Sequence, residues 1–388
     1  MVIVKEVSGK VILDSRKEKT ISVSIGTDVG TFHASSPTGK STGKYEAKPY
    51  KKNVEGDAET LKKFSDYFSE EHIDKFEDLM RIEDIIANQI GANTLFAFES
   101  AVLKAIAYEQ KKEVWEIVNP ELNTKKAKFP KLVGNCVEGG KHSNTSKKPD
   151  FQEFELISNM GSVKKNYERN KSIKEEIRDA LRKSDKNFEG KRTDENAWMT
   201  SLNERDVLEI MIKFRIPLGV DIAASSFFKR KKYYYDNPVM KRDSEEQFNY
   251  ISNLVKNFNL YYIEDPFEEN DFESFAKLLK KFPNSLIVGD DLTTTNSKRL
   301  KKAIEKKSIN GIIIKPNQCG SLLEVKRVVE MAKENNIKMI FSHRSGETEE
   351  TILADLAFGF QADFFKCGTE GDVRIKKILR LIEIEGSI

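Results

Sequence analysis

Cysteine is scarce in this chain: Cys136, Cys319 and Cys367 are the only three among 388 residues. Odd in number and widely spaced, with no Cys-x-x-Cys pair, they exclude a disulfide framework and a cysteine-based zinc site. Long apolar runs are missing too. None approaches the roughly 20 residues that a membrane helix needs, and Met1-Val-Ile-Val-Lys-Glu6 reads as a strand, not a signal peptide. Charge of one sign is absent as well: 65 Lys and Arg against 62 Asp and Glu leave +3, without the basic excess that nucleic-acid binding requires. What the chain does carry is charge of both signs, 33% of residues, together with 24 Phe and 11 Tyr. Those are more large rings than a disordered chain holds. The expectation is a soluble, cytoplasmic protein of two domains, or one large α/β barrel with an attachment.

The first forty residues alternate with period two, at Val2-Ile-Val4, Val11-Ile-Leu13, Ile21 to Ile25 and Gly30 to His33, which predicts a small antiparallel meander. Helical spacing follows from Lys75 to Ile86, and Asn93 is placed to cap a very apolar helix running to about Val118. The stretch Asn119 to Lys131, with two prolines and a lysine cluster, sets the expected division into domains at 1–122 and 123–388.

Beyond it, short apolar runs recur, each followed by an amphipathic helix: Leu260 to Ile263, Leu286 to Val288, Ile312 to Ile314, Met339 to Phe341 and Phe364-Phe365. Each ends in an ionisable residue, in turn Glu264, Asp290, Lys315, His343 and Lys366, at intervals of 26, 25, 28 and 23 residues. That is the length of one βα unit, and fully apolar strands suit a parallel sheet covered by helices. Chargeable residues at successive strand ends are the layout of a (β/α) barrel active site. Leu218-Gly-Val-Asp221 adds a further strand ending in a carboxylate. Three carboxylates facing one centre repel unless a hard cation neutralises them, and an oxygen-only set suits Mg²⁺. The other reading of each is an ordinary helix N-cap. The cations Lys315, His343, Arg344 and Lys366 would face that metal. The pattern fits proton abstraction beside a carboxylate, with a lysine of lowered pKa as base. A Lys or His base beside one or two Mg²⁺ ions is the general arrangement for stabilising an enediolate. Arg344 with Ser345 fits an anionic group such as a phosphate.

At this level the chain resembles enolase. The segments that carry the likeness are Val11-Ile-Leu-Asp-Ser-Arg16, Thr38-Gly-Lys-Ser-Thr-Gly43, Tyr45-Glu-Ala47, Gln152-Glu-Phe154, Gly219-Val-Asp-Ile-Ala-Ala-Ser225, Ile263-Glu-Asp-Pro266, Gly289-Asp-Asp-Leu292, Lys315-Pro-Asn-Gln318 and Ser342-His-Arg-Ser-Gly-Glu-Thr-Glu349. The resemblance implies a TIM-like (β/α)8 barrel behind an N-terminal α+β capping domain, and a homodimer or larger assembly. It implies reversible dehydration of 2-phosphoglycerate, a phosphorylated hydroxy acid, to phosphoenolpyruvate in glycolysis, with two Mg²⁺ per site. Residue by residue, Asp221, Glu264 and Asp290 match the first metal's ligands and Ser41 the loop serine reaching the second. Lys315 matches the base and Lys366 the lysine that binds the substrate carboxylate. His343, Arg344 and Ser345 fall on the phosphate and substrate run, His142 on the closing loop histidine, and Gln152 with Glu153 on the pair supporting the leaving hydroxyl.

Departures cluster on the acid side. The family's Gly-Asp-Glu-Gly-Gly motif is absent, and Thr193-Asp-Glu-Asn-Ala197 stands nearest, which makes Glu195 the expected acid and Glu189 the alternative. The Asn-Gly-Gly before the loop histidine is here Glu138-Gly-Gly140, and Glu370-Gly-Asp372 replaces a more basic stretch. A second reading is therefore a non-catalytic or weakly active paralogue that serves as a binding protein. A third, a dehydratase of acid sugars, is disfavoured by the phosphate-like Arg344 and Ser345. Gly39-Lys-Ser41 imitates a phosphate loop, but position 34 is Ala where that motif needs Gly. Lys229 to Lys232, followed by three tyrosines, reads as a hairpin with aromatic cover.

Overall fold

The computed structural model describes residues 2–40, 42–68 and 71–388. The N-terminal part is a four-stranded sheet of β1 (Val2–Leu13), β2 (Lys19–Thr27), β3 (Gly30–Ser35) and β4 (His72–Ile73), in the order β3-β2-β1-β4. All its pairings are antiparallel, and a bulge between Val4 and Glu6 lets β1 run through the first two apolar runs as one strand. Helices α1 (Val54–Phe64), α2 (Leu79–Ile86), α3 (Ala92–Glu109) and α4 (Val114–Val118) complete it. α3 is buried almost all round, as its composition requires. It differs from the sequence expectation at both ends. Gly91 is its N-cap, while Asn93 lies inside the helix and accepts from Asn317 Nδ2 at 2.9 Å. The helix stops at Glu109, and Lys111 turns into the left-handed region before α4 begins.

From Lys131 the chain runs β5 (Lys131–Glu138), β6 (Glu153–Ile157), α5 (Val163–Ser184), β7 (Trp198–Met199), α6 (Glu204–Met211), β8 (Leu218–Asp221), the small sheet β9 (Phe228–Lys229), β10 (Lys232–Asp236) and β11 (Val239–Arg242), and α7 (Ser244–Phe258). Tyr233 and Tyr235 of β10 are buried, so the basic turn before them is a hairpin with aromatic cover. Regular alternation follows: β12 (Tyr262–Glu264), α8 (Phe272–Lys281), β13 (Leu286–Gly289), α9 (Ser297–Lys306), β14 (Gly311–Ile314), α10 (Pro316–Cys319), α11 (Leu322–Glu334), β15 (Lys338–Ser342), α12 (Ile352–Gly359), β16 (Phe364–Lys366) and α13 (Asp372–Ser387).

Eight of these strands close a barrel in the order β16-β15-β14-β13-β12-β8-β6-β5, with β16 pairing to β5. The fold is thus α/β, a barrel behind a strand-rich N-terminal domain. Its lumen is plugged by Val133, Ile157, Tyr262, Leu286, Val288, Ile313, Ile340 and Phe364, the packed floor such barrels need. One strand departs from a uniform βα repeat: β6 runs antiparallel to both β5 and β8. Its N-terminal residue, Glu153, therefore lies level with the C-terminal end of β8, in register with Asp221.

Candidate active site

The strand ends bring their residues together. Asp221 and Glu264 are directly paired across β8 and β12, and Asp290 follows the last residue of β13 next to them. All three are buried. Lys366, at the end of β16, reaches into this group: its Nζ lies 2.7 Å from Glu264 Oε2, 2.9 Å from Glu153 Oε2, 3.0 Å from Glu155 Oε1 and 3.3 Å from Asp221 Oδ2. Burial works against its charge, and the four carboxylates outweigh that and hold Lys366 firmly protonated. Glu264 is pushed up to about 8 by burial and by the neighbouring Asp221 and Asp290.

Lys315, just past β14, is ion-paired with Asp290 Oδ2. The lowered pKa expected of a catalytic lysine is not what this arrangement gives. Burial lowers it, but the Asp290 charge more than offsets burial, Arg344 and Lys366, so Lys315 is raised. Gln318 Nε2 donates to the other Asp290 oxygen at 2.9 Å.

The second wall comes from loops. Glu195 sits on the turn before β7, nearly fully buried, and its Oε2 lies 3.0 Å from His343 Nε2 and accepts from Asn135 Nδ2 at 2.9 Å. Glu189 is elsewhere, on the surface and paired with Lys191. Burial pushes Glu195 up, but His343 and His142 hold it well below the carboxylate range. His343 in turn receives a hydrogen bond at Nδ1 from Arg374 Nε at 3.2 Å. That bond needs the Nδ1 lone pair, so it restrains the upward pull that Glu195 exerts on His343 against burial. The same guanidinium donates to the Ser345 carbonyl at 2.6 Å. His142, on the turn after β5, places Nδ1 3.4 Å from Glu153 Oε1 and 3.6 Å from Glu195 Oε1. Burial lowers its pKa, and Glu195 with Glu138 and Glu153 raises it to about 9.

The N-terminal domain covers the opening. Lys40 donates its backbone N–H to Ser345 Oγ at 2.7 Å and its Nζ pairs with Asp194 at 2.6 Å. Arg344 Nη2 donates to both Glu46 carboxylate oxygens, at 3.0 and 3.2 Å. A side chain at position 39 would meet Arg344 Nη2 at 2.0 Å, so glycine lets the loop pass. Gln152 Nε2 donates to Asp221 Oδ2 at 3.2 Å. Ser41, the expected ligand of a second metal, lies outside the described residues. Gly39, His142, Gln152, Glu153, Glu195, Asp221, Lys315 and residues 342–345 with Lys366 line one cavity of about 20 Å³, room for about one water.

Glu155, Glu138 and Arg374 belong to this neighbourhood and escaped the sequence reading. Glu155 had a signal: Glu153 and Glu155 alternate with Phe154 and Leu156, which turns both acids to one face. Glu138 showed only as a departure beside Gly139-Gly140, and Arg374 had no signal, since its place follows from tertiary packing. The carboxylate trio fits a hard divalent ion. Glu264 Oε1 is buried without a hydrogen-bond partner, the donors are all oxygen, and their mutual repulsion calls for positive charge.

Comparison with known proteins agrees with this geometry. The model of the family "Enolase, C-terminal TIM barrel domain" matches residues 126–388. The enolase of Methanosphaera stadtmanae is 33% identical, over 99% of this chain and 97% of its own length. That of Picrophilus torridus is 34% identical over 98% of each, and that of Methanothermobacter thermautotrophicus 32% identical over 100% and 97%. A likeness spanning both the N-terminal sheet and the barrel covers the whole of this cavity: the chain belongs to the enolase family and is an enolase-type lyase.

Proposed function

We propose that the protein catalyses the reversible, Mg²⁺-dependent dehydration of 2-phosphoglycerate to phosphoenolpyruvate, acting in glycolysis and gluconeogenesis in the cytoplasm as a homodimer or larger homo-oligomer. The observation that carries this reading is the single cavity shared by Lys315, Lys366, Asp221 and the Glu195–His343 pair, with Glu264 and Asp290 beside Asp221 at the neighbouring strand ends. Asp221, Glu264 and Asp290 would hold one Mg²⁺ and Ser41 would contribute to a second. Such ions supply the positive charge that a substrate carboxylate needs on losing its C2 proton.

Lys315 is the base. In this structure Asp290 holds its proton against burial and against the nearby Arg344 and Lys366, which favour the neutral amine that a base needs. Lys366 binds the substrate carboxylate. Arg344 and Ser345 bind the phosphate, with Arg344 leaving Glu46 to do so. His343, His142 and Arg374 are the cations that keep Glu195 ionised in this structure, and of these His142 stands on the turn after β5. Glu195, once it has taken up a proton from solvent, gives it to the C3 hydroxyl, which leaves as water, with Glu153 and Gln152 beside it. The closed lid excludes water. Mixing the chain with Mg²⁺ and 2-phosphoglycerate should yield the ultraviolet absorbance of a conjugated enol phosphate. Metal binding without turnover would favour the binding-protein alternative instead.

A further inference from the structure

We infer that Asn317 is a positioning residue that sets Arg344 for the phosphate and ties the stem of the loop over the cavity to it. This deepens the proposed reaction and rests on its assignment of Arg344 to the phosphate. Asn317 lies in α10, is buried, and does not line the catalytic cavity. Its Oδ1 accepts from Arg344 Nη1 at 3.2 Å. Its Nδ2 donates to the Pro37 carbonyl at 3.0 Å and to Asn93 Oδ1 at 2.9 Å. A guanidinium can only donate and a carbonyl can only accept, so one orientation of the amide serves both. Pro37 stands two residues before Gly39, whose backbone passes against the Arg344 guanidinium.

The hydrogen bonds continue into the N-terminal domain. Asn93 Nδ2 donates to Tyr50 Oη at 3.3 Å, Tyr50 Oη to Thr20 Oγ1 at 3.2 Å, and Thr20 Oγ1 to the Ser36 carbonyl at 2.7 Å. The chain of bonds thus returns to the residue before Pro37, and a buried network of this kind specifies one geometry. Packing does not replace it on this side. Arg344, Asn317, Asn93 and Tyr50 all line a second cavity, of about 410 Å³, so hydrogen bonds fix the angle of the guanidinium. Its other anchor, Glu46, is a carboxylate that an incoming anion must displace. Asn317 is neutral and can stay, which keeps Arg344 aimed while Glu46 lets go.

The test is calorimetric titration of the full chain, in Mg²⁺, with inorganic phosphate, beside steady-state turnover of 2-phosphoglycerate. Asn317→Ala should raise both the phosphate Kd and KM about tenfold, with kcat changed less than about threefold and Mg²⁺ affinity unchanged. Asn93→Ala leaves the bond to Arg344 in place and should raise both about threefold. Asn93→Asp keeps the oxygen that faces Asn317 and should restore them. A purely structural role would lower the denaturation midpoint and leave the phosphate Kd alone. An unchanged phosphate Kd in Asn317→Ala protein with native circular dichroism, or a Mg²⁺ affinity that falls as far as the phosphate affinity, would overturn the inference. If Asn317→Ala does not fold, equal phosphate binding by Asn93→Ala and Asn93→Asp overturns it. A wild-type chain that binds no phosphate would overturn the phosphate assignment of Arg344, and the inference with it.

Discussion

Asp221, Glu264, Asp290, Lys315 and Lys366 stand on or just past the ends of neighbouring strands, whereas Glu138, His142, Glu195 and Arg374 come from a strand terminus, two loops and a helix. In the first group the hydrogen-bond register of the barrel sets the spacing: Glu264 is level with Asp221 because β12 is paired with β8. The second group has no such ruler. Its place is fixed by buried charge, chiefly Arg374 under His343 and Ser345, and Lys174 under the Glu195 turn. Strand ends tolerate change in surrounding loops, and a loop-built wall changes whenever its partners do. The departures from the family pattern, at Glu138, around Glu195 and at Glu370, all lie on that second wall.

The comparison predicts unequal losses. Lys315→Ala removes the base from the rigid wall and should lower turnover of 2-phosphoglycerate about 10⁴-fold, with Mg²⁺ binding retained. Glu195→Gln should cost about 10² to 10³-fold in kcat, and Glu189→Gln nothing, because that side chain pairs with Lys191 on the surface. Equal effects of the two glutamates in a steady-state assay would sink the assignment of the acid wall.

The same division explains what was legible. Asp290 could be read from Leu286-Ile-Val-Gly because a buried apolar strand with a polar end has one natural place in a barrel. Gln152 and Glu153 could not be read that way, since they enter at the start of the reversed β6. Asn93 has the local sequence of a cap, but its side chain serves a tertiary hydrogen bond to Asn317. The cationic neighbours of Lys315 point to a lowered pKa, and only the structure shows Asp290 in direct contact, which reverses the direction. Choosing between Glu189 and Glu195 needed the positions of His343 and Asn135, nearly 150 residues and 60 residues away in sequence from Glu195.

Lys174 offers a smaller and more selective perturbation. Its ammonium is fully buried, meets Glu370 at 3.0 Å and donates to the Asn196 carbonyl, one residue from Glu195. Arg192 shares Glu370 at 2.8 Å and stacks 4.5 Å from the Trp198 ring. Glu370→Ala strands a buried charge and should destabilise the fold by about 3 kcal/mol in urea denaturation. Adding Lys174→Met should recover most of that, since a missing pair costs far less than a broken one. The double variant should still show a kcat lowered at least about tenfold with unchanged Mg²⁺ affinity. A fall in Mg²⁺ affinity would show that the two walls are mechanically one.

The least effect is expected where the wall meets the lid. Lys40 and Asp194 pair at 2.6 Å, but both side chains are substantially exposed, at 31% and 45%. An exposed pair of this kind contributes about 1 kcal/mol or less and is screened by salt. Its location gives it leverage on closure, because the neighbouring backbone bond from Lys40 to Ser345 holds the same loop down. Asp194→Asn should therefore leave the denaturation midpoint unchanged and raise KM by no more than about fivefold at low ionic strength, an effect that shrinks at about 0.5 M salt. A larger change in kcat than in KM would mean that Asp194 acts through Glu195 beside it, and the exposed edge of the acid wall would then have to be counted with its buried core.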